Sequence, residues 1–447
     1  METTNLQAQV RGNVLTAASE AYNRARKMWN GMVDEHPAVI VQCVGTADVV
    51  AALDFARQAG LSVRVRGGGH SVAGHSTGNG CLVVDLSLMR SVHVDTTSNT
   101  ARVGPGAQLG DLDAETQLYG LAVPAGVDSR TGVAGLTLGG GQGFLSRSFG
   151  ITADSLIGAQ VVTADGSILK VDTEHETDLL WALRGGSAGV GVVTSFEFQL
   201  HPVGPEVAVA QAFYPSQHAR EILRAYRDYM DRAPDAIAVY ALCVPVPPVE
   251  PFPASEHGNT AIALVGCAVG DVTAGLEQLQ PIVSFGEPMF SLLQPMPYRV
   301  LQDSFTEGAP DGGRYFWKSN YLHALTDEAI DVMAEHARKL PGPFSNFFIE
   351  PLGGAVGRVA EQATAFPHRA AKYSFGISSG WEAPAQDDEA IAWTRRFHEM
   401  ITPYATGQYY VNYMDRDEAP ASSAAFGANF ERLQAIRRKY DPEGLFD

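Results

Sequence analysis

Residues 64–71 read Arg-Val-Arg-Gly-Gly-Gly-His-Ser, three consecutive glycines that end on a histidine. Three glycines in a row clear one face of a loop of side chains, so a large anionic group such as a pyrophosphate can lie directly on backbone N–H groups. An imidazole at the end of such a loop is a nucleophile at neutral pH, because its ordinary pKa leaves most of it uncharged. Together the two features select folds that grip, and can tether, an elongated cofactor. Read alone, the same residues also describe a surface loop with a polar histidine.

A second run, Thr131 to Gly143, reads Thr-Gly-Val-Ala-Gly-Leu-Thr-Leu-Gly-Gly-Gly-Gln-Gly. A dinucleotide fingerprint would need a preceding strand, a following helix and an acidic residue about 20 positions on, at the end of a second strand. Asp165 stands near that distance, but it lies in Thr-Ala-Asp-Gly-Ser between the β-rich runs 159–162 and 168–171. Asp-Gly between two such runs is a hairpin turn. A nicotinamide fold therefore fails on context, and two glycine-rich loops contacting one long cofactor fit better.

The chain of 447 residues is long enough for two or three domains with large cores. Its 32 basic and 50 acidic side chains leave a net charge of −18, which argues against nucleic acid or an anionic membrane as partner. The N-terminus lacks a basic region with an apolar core, and no run approaches a membrane span. Cys43, Cys81, Cys243 and Cys267 have no metal spacing and sit in apolar runs, so buried free thiols and a cytoplasmic location are expected, with no metal site.

The first 200 residues alternate strands and helices. Residues 37–41 read as a strand, 46–57 as an amphipathic helix capped at Thr46, and 62–65 as the strand that delivers the glycine loop. The composition shifts near 201–205, after which the glycine loops stop and helical patterns appear at 222–230 and 329–340. A last helix is expected over about 424–440, with Phe430, Leu433 and Ile436 on one face and basic residues at its C-terminal end.

Taken in order, several motifs carry a family resemblance. They are Val65–Ser71, Gly135–Gly143, Gly150-Ile-Thr-Ala-Asp154, Trp181–Gly186, Gly191-Val192-Val193-Thr194, Glu350–Gly354, Thr364–Arg369, Tyr410-Val-Asn-Tyr413 and Tyr440–Phe446. The chain resembles the vanillyl-alcohol oxidase/p-cresol methylhydroxylase flavoproteins, in the berberine-bridge-enzyme-like branch near the bacterial hydroxynicotine and oligosaccharide oxidases. The resemblance spans nearly the whole chain. It implies an α+β architecture: a two-subdomain FAD-binding fold over 1–205, an α+β substrate domain with an antiparallel sheet over 206–408, and a return to the FAD domain over 409–447.

The resemblance also implies roles. Arg66, Gly67, Gly68, Gly69 and Ser71 would cradle the FAD pyrophosphate, and His70 would bond the flavin 8α-methyl carbon. A second loop, Gly126 to Gly143, would cover the isoalloxazine and diphosphate through Gly126, Asp128, Gly132, Gly135, Leu136, Gly139, Gly140, Gly141 and Gly143. Val192, Tyr410 and Asn412 would complete the cofactor site. Many relatives carry a second, cysteinyl tether in Pro-Ala-Gly-x-Cys. Here the motif is Pro124-Ala-Gly-Val-Asp128, so one histidyl tether is expected and no second. The Asn-Phe expected before Gly191 is Gly189-Val190, and the chain stops at Asp447, short of the Asn-rich tail that the resemblance suggests.

Tyr413 matches a catalytic tyrosine of several relatives. A phenol near pKa 10 is a poor base unless a cation or hydrogen bond lowers it, so a buried tyrosine bonded to backbone is the alternative. Glu350 falls where relatives carry an active-site acid, and a half-buried charge paired with Arg369 or another arginine is the competing reading. His368 and Arg369 are expected to be structural. Three functions follow: a covalent-FAD oxidase acting on an alcohol or amine carbon of a small molecule with O2 as acceptor, a dehydrogenase of the same fold, or a flavin-binding protein without turnover. The substrate (secondary metabolite, alkaloid-like amine or sugar) and the oligomeric state stay open.

Overall fold

The computed structural model describes residues 3–187, 189–418 and 423–446. Three sheets of four or more strands organise it. In the first, Asn13–Leu15 runs antiparallel to Val39–Gln42, which pairs in parallel with Leu82–Asp85, and that strand pairs in parallel with Val63–Arg66. The last of these strands ends directly before Gly67 and so fixes where the glycine loop begins.

Helix Thr46–Ala59 packs Val49, Ala52, Leu53 and Ala56 inward and stops at Gly60, whose φ of 63° is the left-handed conformation glycine adopts freely. Its N-cap is Gly45, not Thr46. Buried Asp48 in the first turn accepts the Val44 N–H at 2.9 Å, while the Thr46 hydroxyl reaches Gln160 instead. No side chain caps this helix; the first-turn carboxylate instead ties Val44 of the incoming chain and Arg11, through their N–H groups, to the helix start.

The second sheet is antiparallel, in the order 92–95, 100–103, 192–199, 156–162, 168–171. Its last two strands form the hairpin expected around Asp165, with Gly166 at φ 86°. The second glycine run departs from the loop expected of it. Residues Val133–Gly139 form a helix, with Val133, Ala134 and Thr137 buried at helical spacing and the Thr137 hydroxyl bonded to the Val133 carbonyl at 2.7 Å. Its glycine content masks that periodicity.

The third sheet has seven antiparallel strands, in the order 290–297, 206–215, 260–268, 237–245, 346–351, 373–381, 314–322. Period-two alternation gives it two different faces. Ala208, Ala210, Ala212, Ile237, Val239, Ala241, Phe347 and Ile349 pack beneath helices Ala219–Met230, Asp327–His336 and Asp387–Ile401. Val207, Val209, Tyr240, Leu242, Val265 and Phe348 point the other way, towards Phe144 and Leu145 of the N-terminal half. The face turned from the helices is therefore available to roof a site.

The chain end packs on the N-terminal half. Leu433, Ile436 and Tyr440 of helix Phe430–Tyr440 join Leu179–Leu183, and Leu445 and Phe446 join the core of the first sheet. The helix begins at Phe430, later than the sequence pattern indicates, because Gly427 at φ 48° breaks the run. Among the described residues no helix is long and apolar enough to cross a membrane.

Candidate active site

Between the two glycine runs and the free face of the large sheet lies one cavity of about 1380 Å³. Gly67, Gly68, Gly69, His70 and Ser71 line it, as do Gly126, Asp128, Gly132, Gly135 and Leu136. The two runs meet backbone to backbone. A Cβ on Gly68 would stand 2.6 Å from Gly132 Cα, and one on Gly132 would stand 2.5 Å from Gly68 N. No larger residue permits that approach, so both glycines are needed to close this wall.

His70 is held in a cage drawn from distant segments. Its ring stacks on Trp29 at 4.3 Å and 18°, and Trp29 stacks in turn on Tyr315 at 4.1 Å. Trp29 Nε1 donates to the Ala309 carbonyl, which also accepts from Arg130. Asp128 Oδ2 lies 3.6 Å from His70 Nε2 and 3.0 Å from Arg130 Nη2. Burial opposes the Asp128 charge, but the contacts to His70 and Arg130 outweigh it and hold the carboxyl well below the usual range. His70 Nε2 itself is buried with no hydrogen-bond partner among the described residues.

Across the cavity, Tyr413 donates a 2.8 Å hydrogen bond to Glu350 Oε1. Glu350 is buried and its Oε2 has no hydrogen-bond partner among the described residues. Burial pushes its pKa up to about 7, against the pull of the Tyr413 hydroxyl and, less, of Ser374 and Tyr240. Burial, then the neighbouring Glu350 charge, holds Tyr413 well above the ordinary phenol value. The pair therefore consists of a phenol that keeps its proton and a carboxyl poised near neutrality. Trp317 and Phe348 pack edge-on against the Tyr413 ring at 5.4 and 5.3 Å.

Glu350 does not pair with Arg369. That guanidinium bonds both oxygens of Asp154, at 2.8 and 2.7 Å, and His368 meets Gln408 and stacks on Tyr321. Arg66 is likewise not among the lining residues, its guanidinium being held in a buried pair with Asp85 at 2.7 Å. Gly139, Gly140, Gly141, Gly143 and Val192 stand behind the wall, although Gly191 and Val193 line it. The positions of Cβ atoms explain those glycines: at 139 one would strike Asn412 Oδ1, at 140 Phe366, at 141 Thr152 Oγ1 and at 143 the Ala125 carbonyl.

Tyr410 and Asn412 do reach the cavity. The Asn412 amide bonds the Leu136 carbonyl and the Tyr410 hydroxyl, which accepts the Gly141 N–H at 2.7 Å, so both also clamp the helix 133–139. Trp29, Trp317, Phe348 and Tyr240 are lining residues that sequence reasoning did not single out. For the last three, strand alternation was the available signal. For Trp29 none was, since its contacts come from residues 309 and 315.

These residues fit a flavin dinucleotide: a long cavity, a wall free of side chains where the two glycine runs meet, and a histidine at the end of that wall whose ring is held by stacking on Trp29. The comparisons agree. An FAD binding domain model matches residues 37–172, and a berberine and berberine-like model matches residues 409–447. An FAD-linked oxidoreductase of Dictyostelium discoideum is 31% identical over 440 residues, 98% of this chain and 93% of that one. The (R)-6-hydroxynicotine oxidase of Paenarthrobacter nicotinovorans is 36% identical over 192 residues, 43% of this chain and 42% of its own. The solved structure of Physcomitrella patens BBE-like 1 superimposes with a TM-score of 0.89 at 26% identity, covering 100% of this chain and 98% of that one. Fold and site thus define a flavoprotein oxidoreductase. The chain belongs to the berberine-bridge-enzyme-like family of FAD-linked oxidoreductases.

Proposed function

We propose that this protein is an oxidase that holds FAD through His70 and removes two electrons from an alcohol or amine carbon of a small molecule, with O2 as the final acceptor. In this reading residues 1–205 hold the cofactor, 206–408 roof it, and 409–447 close the site from the cofactor side. The observation that carries the reading is the Tyr413–Glu350 pair, which faces the glycine wall across one cavity. Bound flavin supplies the two-electron acceptor and, when reduced, the electrons for O2.

The chain's own work is to orient the substrate and take its proton. Tyr413 keeps its hydrogen and points it at Glu350, so it is a relay and not the terminal base. As the substrate hydroxyl or amine gives up its proton to the phenol oxygen, the phenol proton passes to Glu350 Oε1. The apolar wall of Phe348, Leu242 and Val265 excludes water around that exchange. The named action of one relative on hydroxynicotine supports a nitrogen-containing substrate. Four buried free thiols support a cytoplasmic setting.

Glu350 must be ionised to accept the proton, so kcat/KM is expected to rise with pH through about 7. Glu350→Gln is expected to lower it about 10²–10⁴-fold and to flatten that rise. The first test is the visible spectrum before and after acid precipitation, alongside oxygen consumption with aromatic alcohols and amines. Yellow pellets and peroxide formation are expected. Flavin released to the supernatant sinks the tether, and substrate bleaching without oxygen uptake sinks the oxidase.

A further inference from the structure

We propose that Asp128 is a positioning residue for His70: its carboxylate fixes the ring so that Nε2 carries the proton and Nδ1 is left to form the flavin bond, and it stabilises the charge that bond formation leaves on the imidazole. The proposal rests on the His70 tether proposed above.

The geometry is specific. Asp128 Oδ1 accepts from Arg130 N at 2.9 Å and Nε at 3.2 Å, and Oδ2 accepts from Arg130 Nη2 at 3.0 Å. The second oxygen then stands 3.6 Å from His70 Nε2, an ion-pair distance that is longer than a hydrogen bond. Arg130 is itself anchored by the Thr306 and Ala309 carbonyls, at 2.6 and 2.8 Å. Trp29, bonded to the same Ala309 carbonyl, covers one face of the imidazole. The ring is thus fixed on one face by stacking and along one edge by a negative charge. A carboxylate beside one imidazole nitrogen sets the tautomer and frees the other nitrogen's lone pair.

The bond made on that lone pair replaces a C–H of the 8α-methyl group by C–N. The methyl proton leaves to solvent, the two electrons pass into the flavin ring and on to dioxygen, and the imidazole, still protonated at Nε2, becomes a cation. Asp128 is the anion that faces that nitrogen.

A purely structural Asp128 would act through its turn, where Oδ1 takes the Arg130 N–H, and asparagine preserves that bond. Asp128→Asn therefore separates the two roles. Full-length protein expressed with FAD would be acid-precipitated and its pellet flavin compared for the parent, Asp128→Asn, Asp128→Ala and the control His70→Ala. In parallel, 15N-histidine spectra of the same full-length proteins prepared without flavin, in which the His70 ring has not yet formed its bond, would be assigned through His70→Ala and would read which ring nitrogen is protonated. The expected result is that both Asp128 variants bind FAD yet retain at most a fifth of the parent's covalent flavin, and that the fixed Nε2–H signal of the parent becomes a tautomer mixture. Parent-like covalent flavin and an unchanged ring spectrum in Asp128→Asn would overturn the proposal. If the parent itself holds no covalent flavin, the tether reading fails. This proposal then falls with it, whereas covalent flavin in the parent together with a parent-like Asp128→Asn overturns this proposal alone.

Discussion

The tripeptide Gly-Gly-Gly occurs twice in this chain. At 67–69 each of its residues lines the cavity; at 139–141 none does. In the first run the missing side chains leave room for a ligand and for the backbone of the other run at Gly132. In the second they leave room for protein: Asn412, Phe366 and Thr152 occupy the space where Cβ atoms would stand, and φ values of 126° and 82° at Gly140 and Gly141 turn the chain sharply after the helix. One composition thus serves binding in one place and packing in the other. A glycine-rich string by itself marks where backbones are approached closely, not what approaches them.

Three substitutions test that contrast. Gly141→Ala combines a left-handed φ, about 1–2 kcal/mol, with a Cβ 2.1 Å from Thr152 Oγ1, an overpacking cost of about 1–3 kcal/mol. Apoprotein and holoprotein should both lose about 3 kcal/mol of stability in denaturant titrations. A variant that unfolds like the parent yet sheds its flavin would move this run to the cofactor wall. Gly68→Ala forces the two runs apart at Gly132. Flavin affinity should drop at least about tenfold, or ~1.4 kcal/mol, with a smaller loss of apoprotein stability than in Gly141→Ala. Ultrafiltration of noncovalent FAD from the His70→Ala background would measure it, and equal effects at 68 and 141 would erase the distinction. The smallest effect is expected at Gly135, a helical glycine whose Cβ would meet nothing within 4 Å and which lines the cavity. Gly135→Ala should raise apoprotein stability by up to about 1 kcal/mol while weakening flavin binding. A gain in both would show that nothing needs the space at that position.

Some of this was legible without coordinates. Val63–Arg66 leading into Gly67 is a strand feeding a glycine loop in both readings, and Asp165-Gly166 is a hairpin turn in both. These are local matters, set by turn chemistry and side-chain period over a few residues. The helix at 133–139 was hidden because glycine at every third or fourth position dilutes the apolar signal while tertiary contacts supply the stability. The family resemblance implied a place for Arg66 in the pyrophosphate cradle, and the structure holds its guanidinium in a buried ion pair. Its partner Asp85 comes from the neighbouring parallel strand, in register opposite it.

The sequence alone determined that two stretches of backbone would be bare, that a histidine would end one of them, and that no thiol stands at position 128. Those are properties of residue type, and no fold can alter them. Tertiary structure decided which glycines face the ligand, that Asp128 and Trp29 surround His70, and that Glu350 meets Tyr413 and not Arg369. Each of those pairings joins residues far apart in the chain, brought together by burying apolar faces of three sheets. Charge and proton position at the site depend on distance and burial, and neither is written in any local run of residues.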